Sequence, residues 1–364
     1  MDFSFQALVQ KHNSEMESAF RSLVDTIVRN SKLSISLLRI SNVTEESFHV
    51  SLEARITKTG PASASITPMT LDLCGLAGHF GKVTLPAITT QAYGTEVVVT
   101  SQLVNIVDKE ALKAFIRDII QNGSVVLSLR NGQTSITALG IGPRETSYAK
   151  ELELPGMNGP VVSVHSADLI QIDPRLAGSP STASLAPVNA APLSGSLTSA
   201  SISSLAASGN GSAISITFHV ENPSPLEISF GTCSFDILDH EGKLLAELKG
   251  RLDIRRKYFE AIFQGNVNKA VAAKLAAEMG KAAARSEGKD GKNDGERGDG
   301  QAPAARLVGK RCAGAGWCDE TIKGIDVPIN NMGGLFLALD ISDVAEEPKA
   351  KKGNLSRWSQ RLMR

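Results

Sequence analysis

From residue 33 to residue 139 the chain repeats one pattern: a short run of alternating apolar and polar residues, closed by a turn. The runs are 33–40, 48–56, 65–73, 82–88, 95–100, 124–130 and 134–139. They have the length and two-residue period of half-buried β-strands, which send every second side chain to a core. Gly60-Pro61, Gly75, Gly78, Gly81, Gly94, Asn122-Gly123 and Asn131-Gly132 punctuate them, and the last pair is read as a tight hairpin. About seven strands in roughly 110 residues is the size of a β-sandwich. One helix interrupts the series over 109–121, with Leu112, Phe115, Ile116, Ile119 and Ile120 on one face.

The pattern returns further along. Residues 213–220, 226–238, 244–248, 251–254 and 259–263 read as strands, and strand-like segments resume at 305–309, 321–327 and 334–341. Residues 270–284 form an alanine-rich helical stretch, and 287–300 is a Gly, Lys and Asp mixture with too little apolar surface to order itself. Between the two series, 176–211 is a Ser, Ala, Pro and Gly connection. Two stretches repeat the same order of features. Val50 to Pro61, then 64–73, then Gly81-Lys82 matches Ile214 to Pro223, then 226–238, then Gly242-Lys243. Each is a strand, a polar turn closed by proline, a second strand and a Gly-Lys turn, which reads as a tandem duplication.

Ahead of the first series, residues 4–32 space their apolar side chains as an amphipathic helix with Ser4 as N-cap. Its polar face mixes Glu15, Glu17, Arg21, Asp25 and Arg29, which favours packing on protein over lying on a membrane. At 364 residues the chain has room for about two domains. Lys plus Arg and Asp plus Glu are both 38, so no long-range field steers it to nucleic acid, and aromatics at 5% leave little for base stacking. No window approaches the apolar length that crosses a bilayer, and Met1-Asp2-Phe3-Ser4 opens without a signal-peptide pattern.

Thr57-Lys58-Thr59-Gly60-Pro61, Ile66-Thr67-Pro68-Met69 and Leu71-Asp72-Leu73-Cys74-Gly75 resemble a fungal family of uncharacterised proteins allied to the late-embryogenesis-abundant type 2 domain. So do Lys150 to Pro160, Asn222 to Ile228, Leu248 to Ile254 and Ile322 to Pro328; the resemblance spans about residues 34 to 343. It implies an immunoglobulin-like or fibronectin-like sandwich in each module, and association with the vacuolar membrane, where a budding-yeast relative is linked to the ending of autophagy. Members typically carry a transmembrane helix that this sequence lacks. Some relatives are labelled pre-rRNA processing proteins, a role the neutral charge does not support.

The expected architecture is therefore mainly β: two such sandwiches in tandem, each with a helix, after an N-terminal amphipathic helix. The parts are 1–32 helix, 33–165 first sandwich, 176–211 linker, 212–343 second sandwich with a disordered insertion at 270–304, and 344–364 basic tail.

Candidate sites are few. Asn42, Asn122, Asn210 and Asn354 head Asn-X-Ser/Thr sequons, which matter if the chain enters the secretory route. Cys312 and Cys318 stand close enough to pair across a turn, or remain structural thiols; zinc lacks a second cysteine pair or a histidine cluster. Residues 290–301 imitate a calcium loop, but Lys292 and Gln301 occupy ligand places. Arg297-Gly298-Asp299 sits in the same charged run. His12, His49, His79, His165, His219 and His240 are dispersed, and His219, inside a strand, reads as an interior or face residue. The tail, with Trp358 and Leu362 among Lys349, Lys351, Lys352, Arg357, Arg361 and Arg364, either touches phospholipid heads or is a solvated end. Nucleophile-elbow, phosphate-loop and His-Glu-X-X-His motifs do not occur, so no catalytic, cofactor or metal residue is assigned.

The expected function is a non-enzymatic binding or scaffolding protein with an unknown protein partner or lipid and no nucleic acid. The resemblance implies the vacuolar membrane; a chain starting at Met1 is expected to be cytoplasmic or peripheral. The alternative is a module that holds an acyl chain between its sheets, which predicts an open apolar groove.

Overall fold

The structure, a computed structural model, describes residues 28–59, 63–138, 141–170, 211–287 and 304–341, together with Ser18, Ser22 and Val24. Of the expected helix over 4–32, Ser18, Ser22, Val24 and residues 28–30 are helical. Ser31 is not helical and Lys32 begins the first strand; the other residues of that stretch lie outside the described residues, as do 171–210, the imitation calcium loop with Arg297-Gly298-Asp299, and the basic tail.

The chain is mainly β, in two sheets. Strands β1 (Lys32–Ser41), β2 (Ser47–Thr57) and β7 (Thr95–Asn105) pair antiparallel in the order β1-β2-β7. A separate sheet holds β3 (Ala64–Ile66), β4 (Met69–Gly75), β5 (Gly78–Leu85), β6 (Ile88–Thr89), β8 (Ser124–Ala138) and β9 (Ile141–Pro155). The fully buried Phe48, Leu71, Leu127 and Leu129 belong to the core formed by these two sheets. Helix α1 (Lys109–Gln121) joins β7 to β8 and buries the face expected of it, Leu112, Phe115, Ile116, Ile119 and Ile120. Phe115 stacks on Phe80 of β5 at 5.0 Å.

Asp108 starts that helix: its carboxylate accepts the N–H of Glu110 at 2.8 Å and of Ala111 at 3.1 Å. Asp108→Ala leaves those donors without a side-chain acceptor and is expected to cost about 1 kcal/mol. The check is a lower urea midpoint at unchanged slope; an unchanged midpoint would show that water replaces the cap at no cost.

The second half contains β10 (Val161–Leu169), β11 (Gly211–Asn222), β12 (Leu226–Leu238), β13 (Leu244–Ile254), β14 (Lys257–Asn268), α2 (Lys269–Glu287), β15 (Ala305–Cys312), α3 (Gly316–Lys323), β16 (Asp326–Ile329) and α4 (Gly333–Ala338). Its antiparallel pairings repeat those of the first half. β10–β11 matches β1–β2, β11–β14 matches β2–β7, β12–β13 matches β4–β5, β12–β15 matches β4–β8, and β15–β16 matches β8–β9. In both halves a helix precedes one of these matched strands in the chain, α1 before β8 and α2 before β15. The Gly-Lys part of the sequence repeat does not align: Gly242 is in a turn at φ 81°, whereas Gly81 is inside β5.

Two further pairings make the halves different. β13 pairs with β14, and β10 pairs parallel with β16, so the seven strands of the second half close into a barrel. Among the described residues the equivalents β5 and β7 share no ladder; the Gln102 amide oxygen takes the Thr84 N–H at 3.1 Å instead. Glycines permit the closing seam. A Cβ at 250 would strike the Ile262 carbonyl oxygen, and one at 265 the Glu247 carbonyl oxygen.

The expectation of two separate sandwiches is corrected at the junction. β1 pairs parallel with β12 through Leu38↔Leu226, Arg39↔Glu227 and Ile40↔Ile228, so one ten-stranded sheet runs through both halves. β10, which overlaps the end of the expected first sandwich, belongs to the barrel.

Three local expectations also change. Asn131-Gly132 makes no hairpin; β8 continues through it with a bulge, where Asn131 takes φ 57° and donates its amide to Asp72 at 2.6 Å. A Cβ at 132 would lie 2.5 Å from Leu71 Cδ2, so glycine is needed for close packing rather than for a turn. Residues 321–327 divide between α3 and β16, because Gly324 ends the helix with its N–H on Glu320 and Thr321 carbonyls. Residues 334–341 are largely the helix α4, opened by the Asn331 side chain accepting the Gly333 N–H at 2.8 Å. Strand β9, beyond the expected strands, shows the same alternation, with Glu145, Glu151 and Glu153 exposed and Tyr148, Leu152 and Leu154 buried.

Candidate functional site

A polar concavity lies beside the place where the sheet forks. One edge of β12 is shared: β1 takes residues 226–228 and β15 takes 233–238, with a bulge and Gly231 at φ 76° between them. Beside this point β1, β12 and the end of β13 line a groove of about 190 Å³, with Arg39, Glu227, Ser229, Arg251, Asp253 and Arg255 around it. Ile40, Ile228 and Ile254 are buried beneath it, and three guanidinium groups face two carboxylates around it.

Glu227 anchors the network. Its side chain is 8% exposed, accepts Arg39 at 2.7 Å and lies 3.6 Å from Arg256, which also reaches Glu53. Asp253 accepts the Ser229 hydroxyl at 2.5 Å and Arg251 at 2.8 Å. Arg255 is exposed and has no carboxylate partner among the described residues. A guanidinium presents paired N–H donors that match a carboxylate or phosphate in two-point geometry, so the groove is suited to an anionic group on an apolar floor.

A second cleft of about 250 Å³ lies between α1 and α3, where Lys113 bridges Glu110 at 2.5 Å and Glu320. These hydrogen bonds hold the Lys113 ammonium above its ordinary pKa, so the cleft is already neutralised from within.

His240, Glu241 and Glu278 come together on the surface with the spacing of a metal trio. Lys274 lies 2.9 Å from Glu241 and 3.6 Å from Glu278, and Lys243 lies 2.5 Å from Glu241. These lysines hold the Glu241 carboxyl down at about 2 and take the place a cation would need, so the group reads as an ion-pair network. His219 is on the outer face of the barrel, stacked on Tyr258 at 5.6 Å. Cys312 and Cys318 are buried free thiols, and Cys233, which spacing did not connect with them, is paired in register with Cys312. Asn42 and Asn122 are exposed; Asn210 and Asn354 lie outside the described residues. Among the described residues no helix is long and apolar enough to cross a membrane.

Arg39, Glu227, Arg251 and Arg255 carry no sequence motif of their own. Arg39 and Glu227 meet across 188 positions of chain, and no local motif carries such a signal.

Residues 78–237 match the model of a family described as "Protein of unknown function (DUF3712)", which is less than half of the 364 residues. No curated protein matches the chain. Among solved structures the chain is similar to the exo-chitosanase CsxA of Amycolatopsis orientalis at 11% identity and a TM-score of 0.19, over 75% of this chain and 25% of that one. The chain thus spans about a quarter of that enzyme, and a likeness at this score carries no argument about fold or activity.

Proposed function

We propose that the chain is a non-enzymatic binding or scaffolding protein whose two joined β modules hold an acidic segment of a partner protein at the sheet fork. The supporting observation is Arg255, a guanidinium without a carboxylate partner among the described residues, beside Arg39 and Arg251 over the buried isoleucines. The other polar groups of the groove are engaged with one another, an arrangement suited to recognition rather than to activating a nucleophile. The acyl-chain reading needs open apolar space between sheets, and fully buried Phe48, Phe115, Phe218 and Phe263 occupy the interiors instead. Kinship with the fungal late-embryogenesis-abundant type 2 relatives, immunoglobulin-like ancestry of each module and a place at the vacuolar membrane belong to the same proposal and rest on the sequence resemblance.

Titration calorimetry of the full chain with a glutamate-rich peptide, against a lysine-rich one of equal length, tests the reading. Arg255→Ala is expected to weaken the acidic peptide about tenfold, the size of one charge-assisted hydrogen bond, while stability moves by no more than about 0.5 kcal/mol. No heat with the acidic peptide, or equal affinity for the variant, would remove the groove from the proposal.

A further inference from the structure

Three of the four cysteines, Cys233, Cys312 and Cys318, come together in the interior where β12, β15 and α3 meet, and each is no more than 4% exposed. Cys233 and Cys312 are directly opposite each other on the antiparallel pair β12–β15. The local hydrogen bonds identify the kind of pair. The Ala313 N–H donates to the Thr232 carbonyl at 2.8 Å, and the Cys312 N–H is turned away to the Asp319 carboxylate at 2.8 Å. Residues 232 and 313 are therefore the hydrogen-bonded neighbours, and 233 and 312 form the non-hydrogen-bonded position, where side chains approach most closely. Cα atoms at such a position are about 4.5 Å apart, within the separation a disulfide spans.

The surroundings keep both thiols on the same side of the sheet. Cys312 Sγ donates to the Phe230 carbonyl at 3.1 Å and Cys233 Sγ to the Gly231 carbonyl at 3.7 Å, two adjacent acceptors on the β12 bulge. Burial pushes the Cys233 thiol well above its ordinary pKa, with the neighbouring Cys312 adding to the effect, and Cys318 is raised by the same two causes. Once folded, thiols of this kind exchange slowly, because the thiolate is the reacting form. Cross-linking therefore belongs to the folding stage, before β15 and α3 cover the site.

We infer that Cys233 and Cys312 are a disulfide site, closed during folding in an oxidising compartment, with Cys318 left as the neighbouring free thiol. The reaction balances with a low-molecular-weight disulfide as oxidant. One cysteine thiolate attacks it, forms a mixed disulfide and releases one thiol; the second cysteine then displaces the other thiol as the Cys233–Cys312 bond forms. The link would close a loop of about 80 residues that contains β13, β14 and α2, and it would clamp β15 to β12 beside the sheet fork.

The test refolds the reduced full-length chain in a buffer of reduced and oxidised glutathione, then unfolds the product in guanidinium with N-ethylmaleimide so that every free thiol is trapped, and maps the peptides by mass spectrometry without reduction. The expected result is a peptide pair joining Cys233 to Cys312, with Cys74 and Cys318 alkylated. Reduction is expected to lower the melting temperature by on the order of 10 °C. A Cys318→Ala chain is expected to form the same link, and a Cys233→Ser chain to lose the dependence of melting on reductant. Four alkylated cysteines in folded protein, or a link confined to Cys312 and Cys318, would overturn the inference.

Discussion

Trp317→Ala is expected to destabilise the protein by about 3–5 kcal/mol, the range for removing a large aromatic from a packed interior. Trp317 is on α3 of the second half, 2% exposed, and its indole N–H donates to the Thr44 carbonyl of the first half at 3.0 Å. The same turn of the β1–β2 hairpin supplies Glu45, whose carboxylate accepts the Gly316 N–H at the start of α3, and Lys113 of α1 pairs with Glu320 of α3. Removing the indole therefore opens a cavity at the contact between modules and leaves the Thr44 carbonyl without that donor. Trp317→Phe separates the two contributions: it retains much of the packing and should cost about 1–2 kcal/mol. Urea unfolding followed by circular dichroism is the suitable measurement, since Trp358 would contribute to a fluorescence signal. One large cluster of buried residues runs through both halves, so the parent protein is expected to unfold in a single transition and Trp317→Ala to separate the halves. A loss below about 1 kcal/mol would mean that the modules do not depend on this contact.

Gly265→Val is expected to cost about 3 kcal/mol or more, or to prevent folding of the second half. Gly265 is opposite Leu248 on the β13–β14 seam, and a side chain there meets the Glu247 carbonyl oxygen and the Leu248 Cα of the neighbouring strand. Relief requires moving backbone, which means opening the pairing that closes the barrel. The control is Gly242→Asn, in the turn ahead of β13. That residue has φ 81° and nothing near its missing Cβ, and asparagine tolerates the left-handed conformation better than other side chains. Hydrogen exchange at β13 and β14 reads the difference, with fast exchange expected for the variant at 265 and near-parent protection for the one at 242. Equal protection in both would show that the seam does not limit the barrel.

Much of the secondary structure is legible in the sequence because strands and helices are set by local periodicity. The two-residue alternation of 48–56 requires one buried face, and β2 buries Phe48, Val50, Leu52, Ala54 and Ile56 as that alternation demands. The helix over 109–121 follows from its apolar stripe. The repeated order of strand, proline turn and strand likewise foreshadows two halves with matching pairings.

Partnership between strands is a different kind of fact. Whether Asn131-Gly132 turns the chain or bulges it depends on Asp72 and Leu71, which lie about 60 residues earlier. The same repeat stays open in one half and closes in the other. The decision is made by the paths of β13 and β14, brought close enough to pair only where Gly250 and Gly265 let backbone approach backbone. The fork groove and the Cys233–Cys312 pairing arise in the same way. Each joins residues that no spacing rule connects, across 188 positions for Arg39 and Glu227. The sequence by itself determined the elements whose period is long and regular, such as β2 and α1, whereas the short helices α3 and α4 carry too few turns to show a period and read as strands. Tertiary structure decided which edges meet, because register and closure depend on contacts between distant segments whose steric and electrostatic terms exist only after the chain has folded back on itself.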